Sequence, residues 1–181
     1  MTARDLVIEI LGTDDGVEEH DMAAVFSGGV CAINHKNPSQ YKIFLSNIYG
    51  SNGETLACAI HESFHCKRAR EGVKVYKKDG RTWSVKERHE EEYNVILLTE
   101  GYLNKLYREG RIETYQLEEG MALCRESRKS YTISRVAMTK GITTIAGIMG
   151  RGIMRIMPQN QKEMVQEHID AQTAIFSFDN N

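Results

Sequence analysis

Two histidines and a glutamate at one short spacing, His61-Glu62-Ser63-Phe64-His65, are the residues here whose types and order best suit a reaction. On an α-helix, residues i and i+4 stand one above the other, so His61 and His65 can offer imidazole nitrogens to a single Zn²⁺. Glu62 is rotated by one position and stands beside the ion, where its carboxylate can take a proton from a water held there. In a chain with six histidines such a spacing also arises by chance. The chemistry therefore makes three further demands: a helix, a third ligand and a fourth position open to water.

The local signals around the motif predict a helix from about Gly53 to Glu71. Ser51 and Glu54 fit a capping box, with Ser51 as N-cap. Leu56, Ala59, Ile60 and Phe64 form an apolar stripe at helical spacing. Lys67, Arg68 and Arg70 suit the negative end of the helix dipole, and Gly72 supplies the stop.

A second helical pattern begins at Lys86, with Glu90, Glu91 and Glu92 in its first turns and Tyr93, Ile96, Leu97, Leu103 and Leu106 or Tyr107 on its buried side. It is the natural source of a third ligand, and His89, Glu91, Glu92 and Glu100 compete for the role. Glu92 lies on the core side, where a lone carboxylate is costly to bury unless it is paired or binds a metal. Glu91 points about a quarter-turn away, toward solvent, and His89 reads as a surface histidine. Glu100, in Thr99-Glu100-Gly101, echoes a Glu-Gly third-ligand motif and shares nearly the same face as Glu92, so either could orient a histidine from outside the ligand set. A third histidine six residues beyond His65 would fall at Glu71, which removes that pattern. Cys58 lies three before His61 on the same face; as a small buried residue it needs no metal.

Around these two helices the chain alternates in period. Leu6–Leu11 reads as a strand and Thr13-Asp14-Asp15-Gly16 as a turn. Val17–Ala23 declares no period, and its run Glu18, Glu19, His20, Asp21 reads as a solvated cluster rather than a metal site. Ala24–Phe26 and Val30–Ile33 flank a hairpin signal at Ser27-Gly28-Gly29; Asn37-Pro38 is a turn and Tyr41–Leu45 another strand. Such a sheet can hold an extended peptide along its edge strand. Between the helices, Val73–Val85 reads as a β-hairpin turning at Asp79-Gly80, with Trp83 covering the core. Thr132–Met138 is expected to be a strand. Gly141–Met157 is rich in Gly and Met and broken by Arg151 and Arg155, too interrupted to cross a membrane, and suits packing or protein contact. Pro158 opens a last helix with Met164, Val165, Ile169 and Phe176 as its apolar face; His168 reads as a surface histidine.

At 181 residues the chain is expected to form one domain, and its net charge of −2 argues against nucleic acid as a partner. The first residues carry no secretory signal, and four cysteines without a paired pattern fit a reducing compartment. The chain is thus expected to stay in the cytosol or to leave by a route without a cleaved signal.

The stretch HESFHCKRAREG, followed by Glu91-Glu92-Tyr93-Asn94-Val95-Ile96, resembles the clostridial neurotoxin light chains and the smaller NleD-like effector metallopeptidases. In both, the zinc motif is followed by a helix-ending glycine, matched by Gly72, and then by a Glu-Glu pair whose second member binds zinc. The resemblance implies Glu92 as third ligand beside His61 and His65, with one catalytic Zn²⁺. Thr99-Glu100-Gly101 is similar to a Thr-Glu-Asn segment of the effectors, with Gly101 in place of Asn. Arg128-Lys129-Ser130-Tyr131 fits their Arg-x-x-Tyr element, which implies that Arg128 and Tyr131 stabilise the oxyanion. The interval from Glu100 to Arg128 is long, and the second Glu-Gly at Glu119-Gly120 makes Glu119 an alternative matching point. The likeness spans about Thr55 to Tyr131.

It implies an α+β fold, a zincin-like metalloprotease domain over residues 1–181: a small N-terminal sheet within 1–50, a catalytic core at 53–131 with the zinc-motif helix, a hairpin and a second ligand-bearing helix, and a C-terminal Gly/Met segment and helix at 132–181. The activity implied is that of a secreted bacterial effector, a zinc metalloendopeptidase acting in the target-cell cytoplasm on a host protein, with signalling kinases the substrates of some relatives. Nothing in the sequence fixes an oligomeric state. Two further readings stay open: a non-secreted or phage-encoded peptidase of the bacterial cytoplasm with Glu100 as ligand, and a binding protein of the same fold with little proteolytic activity.

Overall fold

A helix that is apolar on two faces must be covered on two faces, and the one carrying the zinc motif is of that kind. The computed structural model of the chain describes residues 1–19, 29–34, 37–73 and 85–139, with the backbone alone at 85–86, 88–89 and 130–139. Its elements run α1 (Ala3–Leu11), β1 (Val17–Glu19), β2 (Gly29–Ile33), β3 (Tyr41–Leu45), α2 (Gly53–Arg70), α3 (Val85–Arg108) and α4 (Thr114–Thr139). Met1–Tyr131 form one compact unit and Thr132–Asn181 a second, of which residues 132–139 are described, as the end of α4. The described fold is α+β, four helices and a three-stranded sheet.

The segment expected as a strand, Leu6–Leu11, is instead helical. Thr2 and Asp5 form a reciprocal capping box, and the Gly12 N–H donates to the Ile8 carbonyl at 2.8 Å. Ala3, Leu6, Val7 and Leu11 are buried, a spacing of three and four that a strand would split between two faces. The short apolar run was too brief for its period to be read without its caps.

In the sheet, β3 lies between β1, to which it is parallel, and β2, to which it is antiparallel; Ile43 stands opposite both Val17 and Cys31. One buried cluster joins this sheet and α1 to α2 through Val7, Leu11, Ile43, Leu45, Cys58, Ala59 and Cys66. A second joins α2 to α3 and the start of α4 through Leu56, Ile60, Phe64, Ile96, Leu103 and Cys124. So α2 is enclosed from opposite sides.

Its start is Asn52, one residue later than the expected N-cap Ser51: the Asn52 side-chain oxygen accepts from the Thr55 N–H at 2.8 Å. The Ser51 carbonyl is engaged instead by the Gln116 side chain of α4. Its end is the expected one. Gly72 has φ 88°, its N–H donates to Ala69 and that of Val73 to Arg68, the paired closure that a left-handed residue allows. Gly110 ends α3 in the same way.

Helix α3 follows the expected period, with Val95, Ile96, Thr99, Leu103 and Leu106 buried. Leu97, expected inside, is 43% exposed, because the buried stripe passes through Ile96 and Thr99. Helix α4 doubles back along α3: Gly120 meets Leu103, and the Arg128 guanidinium reaches Glu100. Thr132–Met138, expected as a strand, continues this helix. The stretch Glu109–Glu113 makes the reversal, and Arg111 there pairs with Glu9 of α1. His20, Asp21, Ala24–Phe26, Trp83 with the hairpin expected at its centre, and the Gly/Met segment with its following helix lie outside the described residues.

Candidate metal centre

Position along α2 decides what the motif can reach. His61, His65 and Arg68 recur at four and three residues, one face of the helix, and that face meets the first turns of α3 at Glu91 and Glu92. Both imidazoles turn Nε2 inward. His61 Nε2 lies 3.2 Å from Glu92 Oε2, His65 Nε2 lies 3.4 Å from the same oxygen, and the two nitrogens are 3.1 Å apart. Zinc ligands at about 2.0–2.1 Å in a tetrahedron stand about 3.3–3.4 Å from each other. The triangle therefore has the dimensions of one face of a tetrahedral site.

The three atoms converge on one point, close enough to one another to hold a metal ion. The side chains of His61, His65 and Glu92 are 21%, 12% and 30% exposed, so the three groups are partly buried. Burial pushes the Glu92 carboxyl up, but the hydrogen bonds and charges of the two imidazoles outweigh it and hold the group well below the usual carboxylate range. Burial pulls the His65 imidazole down, and Glu92, Glu62 and Glu91 together more than reverse that. Among the described residues this is the group of histidine, cysteine and acidic side chains placed to hold a metal ion.

Glu62, half-buried on the same helix, packs under the start of β2. A side chain at Gly29 would press against its Cγ, at 3.1 Å from the added carbon, so glycine leaves the carboxylate room. The Cys31 thiol on β2 is partly buried, and its neighbour Cys66, then burial, then Glu62 push it up and keep it protonated.

The other sequence-derived residues separate clearly. Cys58 sits in the core, where burial pushes its thiol up to about 12, so it is a packed neutral thiol rather than a thiolate ligand. Glu100 turns away toward α4 and accepts from Arg128 Nη1 at 3.1 Å, with its other oxygen buried and unpartnered among the described residues. Glu119 accepts from the Gly53 N–H at 2.8 Å, holding the first turn of α2, and is no ligand. Arg128 is thus an ion-pair partner of Glu100, and the backbone of Tyr131 follows one turn further along α4.

Glu91, expected in solvent, is buried. Arg68 grips it with two hydrogen bonds, Nε to Oε1 at 2.7 Å and Nη2 to Oε2 at 2.8 Å. Arg68 had been readable only as a charge suited to a helix end. Its place three residues beyond His65, on the metal-facing stripe, was the signal that could have paired it with an acidic residue of α3. No protein-family model, no curated protein and no solved structure matches the chain.

Proposed function

We propose that the chain is a zinc-dependent metalloendopeptidase, hydrolysing a peptide bond in a protein substrate. The observation that carries this reading is the His61–His65–Glu92 triangle, of tetrahedral dimensions, with Glu62 on the same helix. The two imidazoles and the carboxylate are the donor set of catalytic zinc sites that retain an open position. Bound there, zinc supplies Lewis acidity toward water and the substrate carbonyl. Glu62 takes the proton of the attacking water and passes it to the departing amine. Arg128 and Tyr131 are assigned to the oxyanion by the motif resemblance. Arg128 rests on Glu100, so it would exchange that carboxylate for the developing charge.

The zincin-like fold and the NleD-like family are part of this proposal. They rest on the likeness of Thr55–Tyr131 and on an order of elements, sheet, motif helix, ligand helix, that suits both. The same likeness favours an effector acting on a host intracellular protein. One observation favours a second reading, a metal-binding protein of this fold with little turnover: the Glu100–Arg128 pair already satisfies the guanidinium that hydrolysis would need.

Purified chain, incubated with a peptide library prepared from cell lysate, separates the two. Wild type should create new N-termini, identified by mass spectrometry, and a zinc chelator should abolish them. Glu62→Gln should retain one zinc per chain and lose about 10²–10⁴-fold in rate. Undiminished cleavage by a zinc-loaded Glu62→Gln chain would refute the assignment, and zinc binding with no cleavage by wild type would favour the second reading.

A further inference from the structure

The carboxylate beside the metal-facing pair has a role of its own. Glu91 Oε1 lies 3.9 Å from His65 Nδ1, on the side of the ring opposite the Nε2 atom that faces Glu92 and His61. The same oxygen accepts from Arg68 Nε, and the two-pronged grip fixes the carboxylate plane. Its side chain is 11% exposed and that of His65 12%, so little water stands between them. We propose that Glu91, clamped by Arg68, is a positioning residue: it draws the His65 ring proton to Nδ1 and so leaves the Nε2 lone pair for the metal. The inference rests on the zinc reading and adds to it the group that sets one ligand's tautomer and orientation.

The physical case has two parts. An imidazole ligand must be neutral and must carry its proton on the nitrogen that does not face the metal, and a carboxylate behind the ring favours that tautomer and raises the ligand's basicity. The gap of 3.9 Å is longer than a hydrogen bond, and the proposal has the His65 ring close it as the ligands gather. The second part is charge. Glu91 and Glu92 place two negative groups beside His65. Arg68 offsets Glu91, which leaves Glu92 as the carboxylate of the group that can hold an ion. A clamp serving only to join the helices would not require its acid to adjoin a histidine ring.

A merely structural Arg68–Glu91 pair and a positioning one differ in what a substitution moves. Zinc affinity is measured by competition with a chromophoric chelator, and metal-free stability by thermal unfolding, for wild type, Glu91→Gln, Glu91→Asp and Arg68→Gln. Positioning predicts that Glu91→Gln keeps one zinc per chain but binds it about 10–100-fold more weakly, the usual cost of losing a histidine's outer partner. Glu91→Asp should recover part of that loss. Equal zinc affinity in wild type and Glu91→Gln, with only the melting temperature lowered, would overturn the inference. If the substitutions prevent folding, the ¹⁵N spectrum of wild-type imidazoles in the zinc form decides. The inference requires His65 to be protonated at Nδ1 with slow solvent exchange; an unprotonated or freely exchanging Nδ1 would defeat it. Failure of wild type to bind zinc at all would instead remove the metal site itself, so the two failures are distinguishable.

Discussion

Glu92 and His61 at 3.2 Å would, taken alone, be one more partly exposed ion pair of small consequence. What changes their meaning is the second imidazole, its Nε2 at 3.1 Å from the first. Replacing Glu92 by Ala should remove a ligand and lower zinc affinity by more than the roughly 10–100-fold expected of an outer partner. Glu100→Ala should leave zinc affinity unchanged, because Glu100 faces Arg128. A competition titration of both variants checks the pair; retained affinity in Glu92→Ala with loss in Glu100→Ala would reverse the ligand assignment. The spacing of His61 and His65 made two of the three clustered residues legible from the sequence. Glu92 stood among four competitors, since which side of α3 meets α2 depends on packing that no local pattern encodes. Glu91 was misjudged for the same reason: a quarter-turn from the core stripe of its own helix, it is buried by Arg68 of another.

At the scale of elements, some boundaries were readable from the sequence and others were not. Gly72 closes α2 as expected, and Tyr41–Leu45 is a strand with the expected bounds. Helix α1 went unread although Thr2 and Asp5 cap it, and it matters to the assembly because Glu9 ties it to the reversal after α3. Arg111 and the Tyr102 hydroxyl both donate to Glu9. The Arg111 hydrogen bond is the main reason that the Glu9 carboxyl falls from 4.5 to about 2. A carboxyl depressed in the folded state stabilises it above the unfolded value and ceases to as pH falls through the folded one. The contribution is therefore complete above about pH 4.5 and lost toward pH 2. Both partners are partly exposed, which limits the effect to about 1 kcal/mol or less. Glu9→Gln should lower stability at neutral pH by that amount and leave it unchanged near pH 2, as read from urea unfolding across the range. An equal loss at both ends would show that packing, not the ion pair, holds α1.

For the molecule as a whole, the arrangement that counts is α2 between two buried clusters, with its motif face left at the seam. Enclosure on two sides fixes the histidine backbones. No helix among the described residues is long and apolar enough to cross a membrane. The α+β class was expected from the motif resemblance; the parallel pairing of β1 with β3 was not legible, because pairing partners distant in sequence leave no local trace. All of the proposed chemistry depends on one ion at the seam, and X-ray absorption at the zinc edge, on metal-free chain reloaded with zinc, tests that most directly. The account predicts one zinc per chain, surrounded by nitrogen and oxygen at about 2.0–2.1 Å with imidazole scattering and no sulfur. Failure to bind zinc stoichiometrically, or a sulfur shell at about 2.3 Å, would contradict it.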